Sequence, residues 1–278
     1  MGKQFVPFLW VSHTSISDFL NCPRAYYLRH IYKDPKTGRK INIINPAMAL
    51  GLSVHDVLET LADYGAEERM KQPLVEKFEK VWEHVSGELG GFRDAFEERQ
   101  FKDRGLSMIR RVMEHPGPLL KRAVRLHSPD SLPPRYILSE AENIILCGKV
   151  DWLEYFPEDD SVHIIDFKTG TKEEKEDSLQ LPIYVLLVSN LQKRNIKRIS
   201  YWYLERDDAP IEMRLPDLLE AHKKVMSVAL AMKKLRQEGR YVCPRSGCFF
   251  CRPLEDIVAG RAKWIKQSGY MDVYVSLG

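Results

Sequence analysis

The spacing of apolar residues divides the chain into a helical first part and a mixed second part. In residues 15–31, Phe19, Leu20, Tyr26, Tyr27 and Ile31 fill apolar helical positions, with Ser15 or Ser17 as the N-terminal cap and Pro23 as a bend or restart. The polar stretch Asp34-Pro35-Lys36-Thr37-Gly38 reads as a turn. A second helix is predicted over 46–64, where Ala47, Leu50, Val54, Leu58 and Leu61 recur at helical spacing. Residues 72–127 read as almost wholly helical, and Pro116, Pro118, Pro129, Pro133 and Pro134 then interrupt the pattern.

From Arg135 the pattern changes. Short, often β-branched runs such as Tyr136-Ile137-Leu138, Ile144-Ile145-Leu146 and Val162-His163-Ile164-Ile165 are bounded by turn residues, above all Pro157-Glu158-Asp159-Asp160. They predict three antiparallel strands over 135–168. A helix over 178–193, strands over 199–204 and 211–215, a long helix over 216–238 and a final helix over 254–266 follow. The expected architecture is α/β, a mixed sheet flanked by helices with a helical insertion before it.

Composition narrows the class. With 278 residues, 44% hydrophobic and 29% charged, the chain matches a soluble globular protein of one large domain or two small ones. No apolar stretch reaches the length of a membrane span. Residues 1–11 are broken by Lys3, Gln4 and Pro7, unlike a secretory signal. The expectation is an intracellular, cytoplasmic protein with no membrane partner. A net charge of +3 does not mark a nucleic-acid binder, but cations cluster at 33–40, 121–125, 193–198 and 233–240. Such a minority can line a phosphate-binding groove, although each cluster taken singly is a solvated helix end or turn. Of five cysteines, Cys243, Cys248 and Cys251 crowd together near the end of the chain. In a reducing compartment that points to metal or cluster ligation rather than disulfides.

The candidate chemistry begins on a strand. Over 162–168, Asp166 and Lys168 share a face, and a hairpin across the 157–160 turn brings Asp151 of the preceding strand close. Neighbouring carboxylates disfavour joint ionisation. An oxygen-preferring divalent cation, Mg²⁺ or Mn²⁺, resolves the conflict, and a lysine beside it orients or helps deprotonate a water. Asp-x-Lys alone carries no weight, because Asp34-Pro35-Lys36 repeats it in a turn. His55 alone would be a core or capping histidine. The order of motifs changes this reading: Gly51-Leu52-Ser53-Val54-His55 on a helix, Gly148-Lys149-Val150-Asp151, Asp166-Phe167-Lys168, then Gln180 and Tyr184 one helical turn apart.

The series Gly-x-x-x-His, Gly-x-x-Asp, Asp-x-Lys, Gln-x-x-x-Tyr resembles the RecB-like branch of the PD-(D/E)xK nuclease superfamily, over roughly residues 15–251. That branch includes the AddB nuclease domain and CRISPR-associated RecB-like exonucleases. The resemblance implies a restriction-endonuclease-like core and a single nuclease domain over 1–278. Its parts would be N-terminal helices (12–66), a helical insertion (67–134), the catalytic sheet and helices (135–240) and a cysteine segment (241–278). His55, Asp151, Asp166 and the Phe167 backbone carbonyl are then metal ligands, and Lys168 is the catalytic lysine. Gln180 and Tyr184 contact DNA or brace the lysine region. The implied activity is a Mg²⁺- or Mn²⁺-dependent DNA exonuclease preferring single strands or free ends, in DNA repair, recombination or CRISPR adaptation. No Walker-A pattern is present, so a helicase partner would be a separate polypeptide, alongside recombination or adaptation proteins. The competing reading is a catalytically inactive DNA-binding scaffold, and the full set His55, Asp151, Asp166 and Lys168 argues against it.

The segment around Cys22 (Asn21-Cys22-Pro23-Arg24) also resembles the family's N-terminal segment. In many relatives one N-terminal and three C-terminal cysteines hold a [4Fe–4S] cluster, which implies Cys22, Cys243, Cys248 and Cys251 here. The spacing departs from Cys-x2-Cys-x5-Cys: this chain has Cys-x4-Cys-x2-Cys, with Ile257 where a further cysteine would fall. Cys243 is either the fourth ligand or a bystander, and tetrahedral Zn²⁺ is the chemical alternative. Cys147 reads as an ordinary core residue.

Overall fold

The strand that carries Asp166 and Lys168 lies in the middle of the protein. This computed structural model describes residues 8–128 and 130–276. The reading of the N-terminal segment rests largely on residues 1–7, and these, like Pro129, lie outside the described residues. Strand β6 (Ser161–Lys168) has seven of its residues buried, so both of its faces are covered. It pairs antiparallel with β5 (Trp152–Phe156) and parallel with β7 (Asn195–Tyr203), and β7 pairs antiparallel with the short edge strand β8 (Ile211–Met213). A parallel pair needs a crossover, supplied by α6 (Gln180–Leu191).

Side-chain alternation along β6 builds two cores. Val162 and Ile164 face α6, whose run Ile183–Val188 is buried and covered in turn by Ala221, Val225, Ala229 and Met232 of α7 (Leu218–Glu238). Ile165 and Phe167 face the opposite way, into α3 (Pro46–Thr60), α4 (Leu74–Glu83) and α5 (Ala95–Glu114). Burying side chains of this size stabilises by about 1.5–3 kcal/mol each. Asp166 and Lys168 continue the α6 face at the strand's C-terminal end.

Helix α5 carries a glycine where helices seldom do. A Cβ at Gly105 would lie 2.3 Å from Phe78 Cζ and 3.1 Å from Leu50 Cδ1. Gly105 is therefore where α4 and α3 pack closest on α5. Gly105→Ala is expected to destabilise the fold by about 1–3 kcal/mol through overpacking, despite alanine's better helix propensity. Urea denaturation checks this, and a stabilised variant would contradict the packing.

Two further mixed sheets complete the structure. One has the order β1 (Leu9–Val11), β4 (Ile144–Cys147), β3 (Arg135–Ser139). The other has β2 (Lys40–Ile43), β10 (Met271–Ser276), β9 (Ala262–Ser268). The α/β class with helices around mixed sheets is as expected, but several elements differ. The region 135–168 holds four strands, not three, because the chain leaves one sheet at Gly148 and enters another at Trp152. Asp151 thus sits in the bend before β5, not within a strand.

Residues 121–128 are not helical. They form a strap, with Val124 N–H donating to Leu153 O and Tyr155 N–H to Arg122 O. The buried Arg69 ties this strap down, donating to the carbonyls of Leu61, Tyr64, Leu119 and Lys121.

The first helix, α1 (His13–Asn21), is capped by Ser12 in a reciprocal box with Ser15, not by Ser15 or Ser17. The final helix α8 (Arg252–Val258) ends before Gly260, which adopts φ +72°, and β9 takes the place of its expected continuation to residue 266.

Candidate active site and cysteine site

Three elements meet at the C-terminal end of β6. Helix α3 brings His55, the bend before β5 brings Asp151, and β6 itself brings Asp166 and Lys168. The glycines of the first two motifs allow the approach. A Cβ at Gly51 would lie 3.3 Å from Thr169 Oγ1, directly after Lys168, and one at Gly148 would lie 2.9 Å from Leu187 Cδ1 on α6.

Asp151 bridges the elements. Its Oδ1 lies 3.5 Å from His55 Nδ1, and its Oδ2 accepts from the Phe167 N–H at 2.8 Å. Asp166 is 2% exposed. Its Oδ1 accepts from Gln180 Nε2 (2.7 Å) and Tyr184 Oη (3.0 Å), so the two polar residues on the inner face of the otherwise apolar α6 both serve it. Its Oδ2 takes no hydrogen bond among the described residues and lies in ion-pair contact, 2.9 Å, with Lys168 Nζ. The Lys168 ammonium also donates to Gln180 Oε1, lies 3.2 Å from Glu174 Oε2 and sits 4.9 Å above the Tyr201 ring.

Burial, and after it the charge of Asp151, pushes the Asp166 carboxyl up to about 7. Burial works to lower the proton affinity of His55 and Lys168. The carboxylates outweigh it in both cases, chiefly Asp151 for His55 and Asp166 for Lys168, and both groups end above their ordinary values. Lys168 is therefore an ammonium here, suited to holding charge and orienting a ligand rather than taking a proton.

His55, Asp151, Asp166, Phe167, Lys168, Gln180 and Tyr184 all meet at this corner. Two acids that sequence reasoning missed join them. Glu59 lies one helical turn beyond His55, a spacing that could have flagged it. Glu174 lies in the loop after Lys168 and carries no such signal. Among the described residues, donor atoms of His55, Glu59 and Asp151 lie within 4.8 Å of one another, while the Asp166 side chain is engaged by α6 and Lys168.

A model of the PD-(D/E)XK nuclease superfamily matches residues 10–252. The chain belongs to that superfamily. Similar curated proteins include the ATP-dependent helicase/deoxyribonuclease subunits B of Thermoanaerobacter sp. (strain X514) and Thermoanaerobacter pseudethanolicus (strain ATCC 33223 / 39E). Each is 27% identical over 280 residues, covering 82% of this chain and 22% of the relative. The chain thus spans less than a quarter of the length of these relatives. Among the described residues no helix is long and apolar enough to cross a membrane.

This PD-(D/E)XK protein carries a second cluster far along the chain from the first. Cys22 sits at the junction of α1 and α2 (Pro23–Tyr26), Cys243 follows α7, and Cys248 and Cys251 form the turn into α8. Their four sulfurs lie within 4.8 Å of one another, with Cys248 and Cys251 Sγ 3.7 Å apart and no disulfide formed. Cys243 is therefore spatially the fourth member. The Arg24–Glu255 ion pair (3.2 Å) and the stacked Tyr27 and Tyr241 rings (4.6 Å) brace the same junction between the two ends of the chain. Backbone N–H groups of Arg245 and then Gly247 lower the Cys243 thiol to about 7, while burial raises Cys251 to about 12. Cys147 lies apart in β4, its sulfur 3.5 Å from Val11 O.

Proposed function

We propose that the protein is a divalent-metal-dependent deoxyribonuclease that degrades single-stranded DNA from free ends. The observation that carries this reading is the buried Asp166, held by Gln180 and Tyr184 with one oxygen left to face Lys168, beside Asp151 and His55. A carboxylate oxygen paired with Lys168 alone, a second carboxylate and an imidazole are donors suited to Mg²⁺ or Mn²⁺. His55, Asp151 and Asp166 would hold the ion, with the Phe167 carbonyl as the backbone donor. A bound ion would polarise the scissile phosphate and favour hydroxide over water.

The chain's own residues do the rest. Lys168 presents an ammonium to the phosphate oxygens and the attacking water. Asp166 and Gln180 aim that ammonium, and Tyr184 and Gln180 fix the rotamer of Asp166. Preorganised charge is the largest lever on such a barrier, which must fall by on the order of 20 kcal/mol. The deoxyribonuclease named in the similar subunits supports DNA as substrate, and their helicase designation supports a helicase as partner in DNA repair or recombination. The two cores that share β6 support treating the whole chain as one nuclease domain.

The four cysteines form a structural metal site that ties the chain ends together. Four thiolates fit the [4Fe–4S] cluster implied by the family resemblance. The 3.7 Å Cys248–Cys251 sulfur separation favours a second reading, a single zinc ion: Zn–S bonds of about 2.3 Å give a tetrahedral edge of about 3.8 Å. Metal and sulfide analysis of anaerobically purified protein decides between them. Four irons with sulfide support the cluster, and one zinc without sulfide supports the ion.

For the nuclease reading, end-labelled single-stranded DNA is expected to shorten progressively with Mn²⁺ or Mg²⁺ and to stay intact with EDTA. Cleavage unaffected by EDTA would overturn it.

A further inference from the structure

We infer that Glu59 belongs to the cation site and that Lys149 stands in for the cation, holding Glu59 until a divalent ion enters beside His55 and Asp151. This rests on the nuclease reading above and adds to it an acid outside the expected ligand set and an exchange partner.

Glu59 follows His55 by four residues on α3, so both project from one side of the helix. Its carboxylate completes the trio with His55 and Asp151 whose donor atoms lie within 4.8 Å of one another. Asp166 adds a buried negative charge nearby: its Oδ2 faces Lys168 Nζ at 2.9 Å, and its charge raises the proton affinity of the same His55 ring. An imidazole and two partly exposed carboxylates thus surround one point, supplied by α3 and the bend before β5.

Lys149 is two residues before Asp151 and ion-pairs with Glu59. The lysine side chain is 63% exposed and Glu59 25%. An ammonium so open to water makes a weak pair, readily displaced by a doubly charged ion. The placement also explains why a lysine stands in the Gly148-Lys149-Val150-Asp151 turn: the segment that delivers Asp151 delivers the counter-charge for Glu59 as well.

A purely structural tether between α3 and the turn makes a different prediction. Breaking a tether from either side would loosen Asp151 and weaken metal binding in both cases. An exchange partner gives opposite signs.

The test is Mn²⁺ binding to the full chain without DNA, followed by titration calorimetry and by the electron paramagnetic resonance of free Mn²⁺. Glu59→Gln keeps size and is expected to weaken binding roughly tenfold. Lys149→Met removes a competing positive charge and is expected to tighten binding roughly threefold. Unchanged affinity in Glu59→Gln, or weaker affinity in Lys149→Met, overturns the inference. Asp151→Asn is the separate control for the underlying reading. Should that variant bind Mn²⁺ like the wild type, the metal site itself is misplaced, whatever Glu59 does. Should it lose binding while Glu59→Gln does not, only the role of Glu59 fails. Thermal melting of each variant confirms that it is folded.

Discussion

Lys168→Ala is expected to lower metal-dependent DNA degradation by on the order of 10²–10³-fold, the usual cost of removing one preorganised charge donor from such a site. The loss should appear in the rate at saturating DNA, because Asp166 and Gln180 hold the ammonium inside the site, where the proposed function has it meet the reacting phosphate. The fold should survive. Lys168 ends its strand, and burial already pushes its partner Asp166 up to about 7, so Asp166 can take a proton when its cation is gone. Lys172→Ala, four residues on in the exposed loop, is the matched control and should retain activity. Single-turnover cleavage by the three proteins checks this. Activity of Lys168→Ala within a few-fold of wild type would place the chemistry elsewhere.

Cys251→Ser is expected to release the metal proposed for the cysteine site and to destabilise the protein enough that little folds at 37 °C. Structural thiolate sites contribute binding free energies of about 10–16 kcal/mol in zinc-finger peptides, comparable with the whole stability of a typical domain, about 5–15 kcal/mol. Cys251 is fully buried, its sulfur accepts from the Cys248 N–H at 3.2 Å, and the cluster joins segments from opposite ends of the chain. Cys147→Ala tests specificity. That thiol is equally free but packs alone in β4, so its loss should leave metal content unchanged. Metal content and melting temperature of the two variants measure both claims. A Cys251→Ser protein that keeps its metal and its stability would contradict them.

What was legible in the sequence followed periodicity and order. Helix α3 announces itself by apolar spacing, α7 by its length, and the alternation of β6 correctly puts Asp166 and Lys168 on one face. The motif order then gathers His55, Asp151, Asp166, Lys168, Gln180 and Tyr184, because α3, the bend before β5, the end of β6 and the first turns of α6 meet at the same corner.

The failures are equally physical. The strand β1 is three residues long and β2 four, too short for a period to register. The helix predicted over 254–266 runs into β9, and β10 has no counterpart among the predicted elements, because Trp264, Ile265, Val273 and Val275 lie among lysines and polar residues and the pairing of β10 with β2 and β9 fixes their state. The break at Gly148 is a tertiary effect: the chain changes sheets where α6 comes too close for a side chain. Glu174 reaches Lys168 from an irregular loop, and no local pattern encodes such a contact.

The central claim is that Asp166 and its neighbours cut DNA with a divalent ion, and end-labelled single-stranded DNA tests it most directly. Wild type and Asp166→Ala would be compared with Mn²⁺ and with EDTA. The account predicts a progressive product ladder from wild type with Mn²⁺ alone, and intact DNA from Asp166→Ala under both conditions with its melting temperature near that of wild type. Cleavage by well-folded Asp166→Ala at the wild-type rate, or no cleavage by wild type that still binds the DNA, would contradict it. The second of these results would make the protein a DNA-binding scaffold.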